Sequence, residues 1–160
     1  MPVRFEDLDD HSPMYSFVGD DGENVHIASG LLYQWVQRNR NNLETVNIPI
    51  DPIRATHYIR DNVVSRKRCR EMLEFIRSDK THTFQPMIYG ESGSYTHNLP
   101  DLYHIDGHHR YVVYAFLQRP FGESYMLEQH QWSEYQITGV PDLTKQELNR
   151  MPIKPRNYAP

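Results

Sequence analysis

Between residues 27 and 39 the apolar positions Ile27, Leu31, Leu32, Trp35 and Val36 fall near helical intervals, which predicts a short amphipathic helix. The stretch Val46-Asn47-Ile48-Pro49-Ile50 alternates instead, as a strand does, and Pro49 points to a sheet edge or a strand end. Asp51-Pro52 then predicts a turn before the clearest helix of the chain. Ser65 is its expected N-cap, and Cys69, Met72, Leu73 and Ile76 recur every three or four residues. Arg66, Lys67, Arg70 and Glu74 occupy the other face.

Further on, Pro86-Met87-Ile88-Tyr89 and Leu102-Tyr103-His104-Ile105 read as short strands. The turn-forming run Gly90-Glu91-Ser92-Gly93-Ser94 lies between them and predicts a hairpin with a long loop. From about His108 to Gln118 a helix is apolar almost all round, which predicts deep burial. Residues 125–137 suit a last strand and its exit, and Leu143–Met151 a short helix capped by Asp142 or Thr144. The expected organisation is an acidic arm or lid over 1–24, one domain over 25–151, and a Pro-rich tail over 152–160.

Composition narrows the class. The 160 residues suffice for one core, and 12% aromatic content argues against disorder. No apolar run approaches the roughly 20 residues that span a bilayer, and the start MPVRFEDLDDHSP shows no basic-then-apolar leader. A single cysteine, Cys69, excludes an intrachain disulfide and a multi-cysteine zinc site; its place on an apolar helix face makes it a core residue. A soluble, cytoplasmic protein with no membrane partner is expected. Net charge is −4, so the chain as a whole is no electrostatic glove for nucleic acid. The charge is nonetheless uneven. Seven acids crowd the first 24 residues against Arg4 alone, and residues 54–70 hold Arg54, Arg60, Arg66, Lys67, Arg68 and Arg70 against Asp61. A basic excess of that kind suits either an anionic ligand or a solvated helix face.

The chemistry concentrates in Asp106-Gly107-His108-His109-Arg110, at an expected strand-to-helix junction. The first N–H groups of a helix and its dipole favour an anion, and Gly107 permits close approach or a positive φ. Arg110 offers a fork for phosphate oxygens, His108 and His109 offer donors or a transferable proton, and Asp106 offers a magnesium ligand or base. Two alternatives stay open: Asp106 as a mere helix cap, and a zinc or iron site on His104, Asp106, His108 and His109. Ser92 and Ser94 lack the sharp elbow of a nucleophilic serine.

Residues 46–137 resemble the ParB N-terminal and sulfiredoxin superfamily. The resemblance rests on an ordered set: Ile48-Pro49-Ile50-Asp51, a helix, Pro86-Met87-Ile88, a hairpin, and Gly107-His108-His109-Arg110-Tyr111. It implies an α+β fold, a small mixed sheet flanked by helices, here with an N-terminal extension. In sulfiredoxins the second position of the turn is the catalytic cysteine; His108 stands there in this chain, so sulfinic-acid reduction is not implied. Nucleotide phosphates held by His109, Arg110 and the Gly107 backbone are implied, with Lys67 or Arg68 assisting from the preceding helix. The Asp-Gly-His-x-Arg form also looks like the free-serine kinases of the same fold, which implies Asp106 as a catalytic acid or base and Asp51 as a weaker candidate. ParB proteins use Gly-Glu-Arg-Arg in the turn and also carry a second arginine motif and a helix-turn-helix domain, neither of which is expected here.

The expectation is therefore a phosphotransferase or nucleotide hydrolase using ATP or another nucleotide with Mg2+. Asp106 and His108 would be catalytic, with Asp106 as the metal ligand, and the phosphate acceptor a small molecule or macromolecule. The alternatives are a ParB-like nuclease and a DNA-associated nucleotide switch or adaptor of plasmid or phage type, with DNA or protein as partner.

Overall fold

The computed structural model describes residues 3–9, 13–79 and 84–141. The fold is mixed α+β, and its contacts group into two compact units. Of the described residues, the first unit holds those up to Asn42, Ser92–Asp101 and those from Glu128 onward; the second holds Leu43–Glu91 and Leu102–Leu127.

In the first unit, β1 (Val3–Arg4) pairs parallel with β8 (Ile137–Thr138). Strands β2 (Tyr15–Val18) and β3 (Asn24–Ile27) form an antiparallel hairpin, Tyr15 opposite Ile27, within and just beyond the stretch expected as a loose arm. Helix α1 (Ser29–Asn39) follows as its apolar spacing predicts and buries Leu32 and Val36. The Ala28 N–H at its start donates to the Tyr135 carbonyl at 2.8 Å. The short helix α5 (Gln129–Trp132) opens on a capping box between Glu128 and Gln131, and the Gln129 amide donates to the Ser92 carbonyl.

The second unit carries the candidate site. Its sheet runs in the order β4 (Thr45–Pro49), β7 (Phe121–Leu127), β5 (Met87–Thr96) and β6 (Leu99–Asp106), with β4 antiparallel and β5 parallel to β7. Pro49 closes β4, an edge strand, where its missing N–H is tolerated. Helices α2 (Pro52–Arg60), α3 (Arg66–Ser78) and α4 (His108–Phe116) enclose a core that includes Ile48, Ala55, Cys69, Met72, Ile76, Met87, Val112 and Val113. Glycine lets β7 reach α4: a Cβ on Gly122 would stand 2.7 Å from the Tyr114 ring.

Three readings of the sequence change. Asp51-Pro52 is not a simple turn but the N-terminus of α2; the Asp51 carboxylate accepts the Ile53 N–H at 2.9 Å, with Pro52 in the first helical turn. Gly90–Ser94 is strand, not loop. The reversal into β6 (Leu99–Asp106) falls at His97 and Asn98, with φ of 52° and 66°, the left-handed pair that a two-residue hairpin turn requires. The last long strand begins at Phe121 rather than 125, and 129–135 turns helical before β8. The proposed helix over Leu143–Met151 and the Pro-rich tail lie outside the described residues.

Candidate functional site

The Asp-Gly-His-His-Arg turn joins β6 to α4, where the sequence places it. Gly107 is the N-cap at φ +93°, a left-handed conformation that an L side chain adopts only with strain. Space excludes a side chain as well, because a Cβ there would lie 2.7 Å from Met87 Cγ. Strand β5 thus passes close beneath the turn.

Arg110 holds the two together from inside. One Nη donates to Asp106 Oδ2 at 2.9 Å, and the other to the carbonyls of Gln85 and Pro86 at 2.9 and 2.8 Å. The arginine side chain is 3% exposed and the aspartate 2%. This geometry bears on two expectations. The Arg110 fork is directed at the start of β5 rather than outward at a phosphate. The Asp106 carboxylate is a buried counter-ion, and that does not fit a magnesium ligand, because Mg2+ keeps several waters and needs an open side. Asp106 and Arg110 sit four residues apart, and a buried pair persists when its remaining hydrogen bonds are also met, as the two carbonyls do here.

Beneath the turn lies an aromatic stack. His108 is 1% exposed, and its ring lies 3.9 Å from that of His104, nearly parallel. Tyr89 stacks on His104 at 4.3 Å, and Tyr58 meets His108 edge-on at 5.1 Å. His104 Nε2 lies 3.0 Å from the Asp106 carbonyl, which can only accept, so Nε2 carries the proton. Nδ1 is then the acceptor and takes the Tyr58 hydroxyl proton in a 3.0 Å bond. Burial first, and the neighbouring His108 second, hold His104 well below the usual imidazole range, so it is neutral. His108 therefore belongs to the interior under the turn, not to a surface where it would hand a proton to a ligand. Both nitrogens of His104 are engaged, which removes it from the zinc or iron alternative. Among the described residues no group of three or more His, Cys, Asp or Glu side chains is arranged to hold a metal.

The face that does reach solvent is built by His109. Its Nε2 accepts the backbone N–H of Ser65 at 3.0 Å. Ser65 is the N-cap of α3, and its hydroxyl accepts the Arg68 N–H at 3.2 Å. One hydrogen bond therefore brings the N-terminus of α3 beside that of α4. Lys67, exposed, and Arg68, half-buried, lie in the first turn of α3, two and three residues beyond the Ser65 that His109 contacts. Tyr111 joins the third helix: its hydroxyl accepts the Asp51 N–H at 2.8 Å at the start of α2. Asp51 itself is spent as a cap.

Sequence reasoning missed Tyr58 and the backbone of Ser65, and it named Tyr111 only as the last position of the turn motif, without its bond to Asp51. Tyr58 carries no spacing that sets it apart, and no pattern of residues reveals which carbonyl or N–H a buried side chain will meet. Cys69 is buried on α3 as expected, and burial raises its thiol to about 11.

No protein-family model, curated protein or solved structure matches the chain. Among the described residues, no helix is long and apolar enough to cross a membrane.

Proposed function

We propose that this chain is a nucleotide-binding protein of the ParB N-terminal and sulfiredoxin-like kind, whose ligand phosphates lie across the adjoining N-termini of α3 and α4. The observation that supports the reading is the Ser65–His109 bond, which joins the starts of α3 and α4, with the cationic residues Lys67 and Arg68 in the first turn of α3. Each helix start presents N–H groups with no partner within its own helix and the positive end of a dipole. Lys67 and Arg68 add full charges from α3. His109, whose Nε2 accepts the Ser65 N–H, would meet a ligand phosphate at this junction.

Within this reading Arg110 and Asp106 are positioning residues. They fix Gly107 against Met87 and thereby aim the start of α4. The reaction proposed is transfer or hydrolysis of a terminal phosphate, which depends mainly on positioning and charge neutralisation. Asp106 would act as a base only after its pair with Arg110 opens.

The test is equilibrium binding of ATP, ADP and CTP to the wild type, to His109→Ala and to the pair Lys67→Ala/Arg68→Ala. Binding in the wild type and at least a tenfold loss in both variants are expected, with release of phosphate from ATP measured in parallel. If none of the three nucleotides binds or raises the melting temperature, the proposal fails. Binding without phosphate release removes the reaction and leaves the nucleotide.

A further inference from the structure

Helix α3 carries a second basic feature that begins at its first residue, Arg66, and runs along the helix to Arg77. A groove of about 570 Å³ runs along it, lined by Arg66, Arg70 and Arg77 with Leu73 of the same helix, Ile59 of α2 and Phe116 of α4. The four α3 positions follow one stripe, since 66, 70, 73 and 77 are spaced by four, three and four residues. Arg66, Arg70 and Arg77 are exposed, and none of them is ion-paired among the described residues. Phe116 is 54% exposed at the end of a helix that is otherwise largely buried. An apolar floor with a row of unneutralised guanidinium groups is an unusual surface for a chain of net charge −4.

We propose that this groove docks an acidic amphipathic helix of a partner protein. Such a helix would place apolar side chains spaced three and four apart on Ile59, Leu73 and Phe116, and flank them with carboxylates on the arginines. Charge complementarity selects the occupant: guanidinium forks pair bidentately with carboxylates, and the apolar floor rewards burial of aliphatic side chains. A nucleic-acid backbone would use the arginines but leave the floor uncovered. The proposal is independent of nucleotide binding, because its test turns on Arg70, Leu73 and Arg77, which lie beyond the first turn of α3.

A display library of helical 16-residue peptides, randomised in sequence, provides the probe, with the full-length chain as bait. Selection is expected to enrich peptides with apolar residues spaced three and four apart and acids beside them. Their affinity should fall at least tenfold for Arg70→Glu/Arg77→Glu and for Leu73→Asp, while Arg70→Lys/Arg77→Lys should lose less. Circular dichroism and the melting temperature establish that each variant folds, and the exposed Arg pair leaves the core untouched even if Leu73→Asp does not. A short DNA duplex and phosphatidylserine vesicles serve as competing arms. No enrichment, enrichment without acids, or binding that survives the double Arg→Glu change overturns the proposal. So does tighter arginine-dependent binding of the duplex or the vesicles than of the selected peptides.

Discussion

Replacing Arg110 by Met tests whether the ion pair under the turn is as buried in solution as the geometry makes it. The substitution keeps an unbranched aliphatic stem of similar reach and removes the guanidinium. It leaves the Asp106 carboxylate, 2% exposed, without its cation, and withdraws the donor from the carbonyls of Gln85 and Pro86. Breaking a buried pair from one side costs about 3–5 kcal/mol. At roughly 2–4 °C per kcal/mol for a chain of this size, the melting temperature should fall by about 6–20 °C. Urea unfolding followed by circular dichroism gives the free energy directly. The double variant Asp106→Leu/Arg110→Met should lose less than the sum of the two single changes by about 1.5–3 kcal/mol, because no charge is then stranded. A loss below about 1 kcal/mol for Arg110→Met, with additive single effects, would show a solvated pair. Arg110 would then be available to a phosphate after all.

Gly107→Ala meets both a left-handed φ and the Met87 side chain, so a loss of about 1–3 kcal/mol in urea unfolding is expected; an unchanged midpoint would mean that the turn relaxes freely. Ser65→Ala removes the N-cap of α3 and should cost about 0.5–2 kcal/mol, with weaker nucleotide binding because the start of α3 frays. His104 is neutral in the folded chain, with its imidazole well below the usual value, whereas the unfolded chain takes up a proton near pH 6.5. Its contribution is therefore complete above that pH and is lost as pH falls below it, at about 1.4 kcal/mol per pH unit for one proton. Unfolding free energies of wild type and His104→Phe from pH 7.5 to 5 should diverge in slope accordingly, and parallel curves would refute the assignment.

What the sequence made legible, and what it hid, follows from which forces leave a linear trace. Helix α3 was readable because its cap and its buried Cys69, Met72 and Ile76 repeat at helical spacing. Helix α4 was readable from its apolar run. Helix α2 was not, since of its residues only Ala55 is fully buried and no apolar stripe marks it; the signal was Asp51-Pro52, an N-cap followed by proline. The hairpin misled in the opposite direction. Gly90–Ser94 has turn composition, yet strand pairing overrides it, and the reversal uses His97-Asn98 without a glycine. At the turn itself, location and backbone were legible but side-chain direction was not. Arg110 and Asp106 are four apart, a spacing that suits mutual pairing as well as a ligand, and burial decides between the two.

Phosphate held where α3 and α4 begin should shift the backbone amides of those two helix starts when ATP is added. The largest changes are expected at Gly107, His108, His109 and at Ser65 to Arg68, with those of His109→Ala much reduced. Shifts that concentrate elsewhere in the chain, or none at millimolar ATP, would contradict the account.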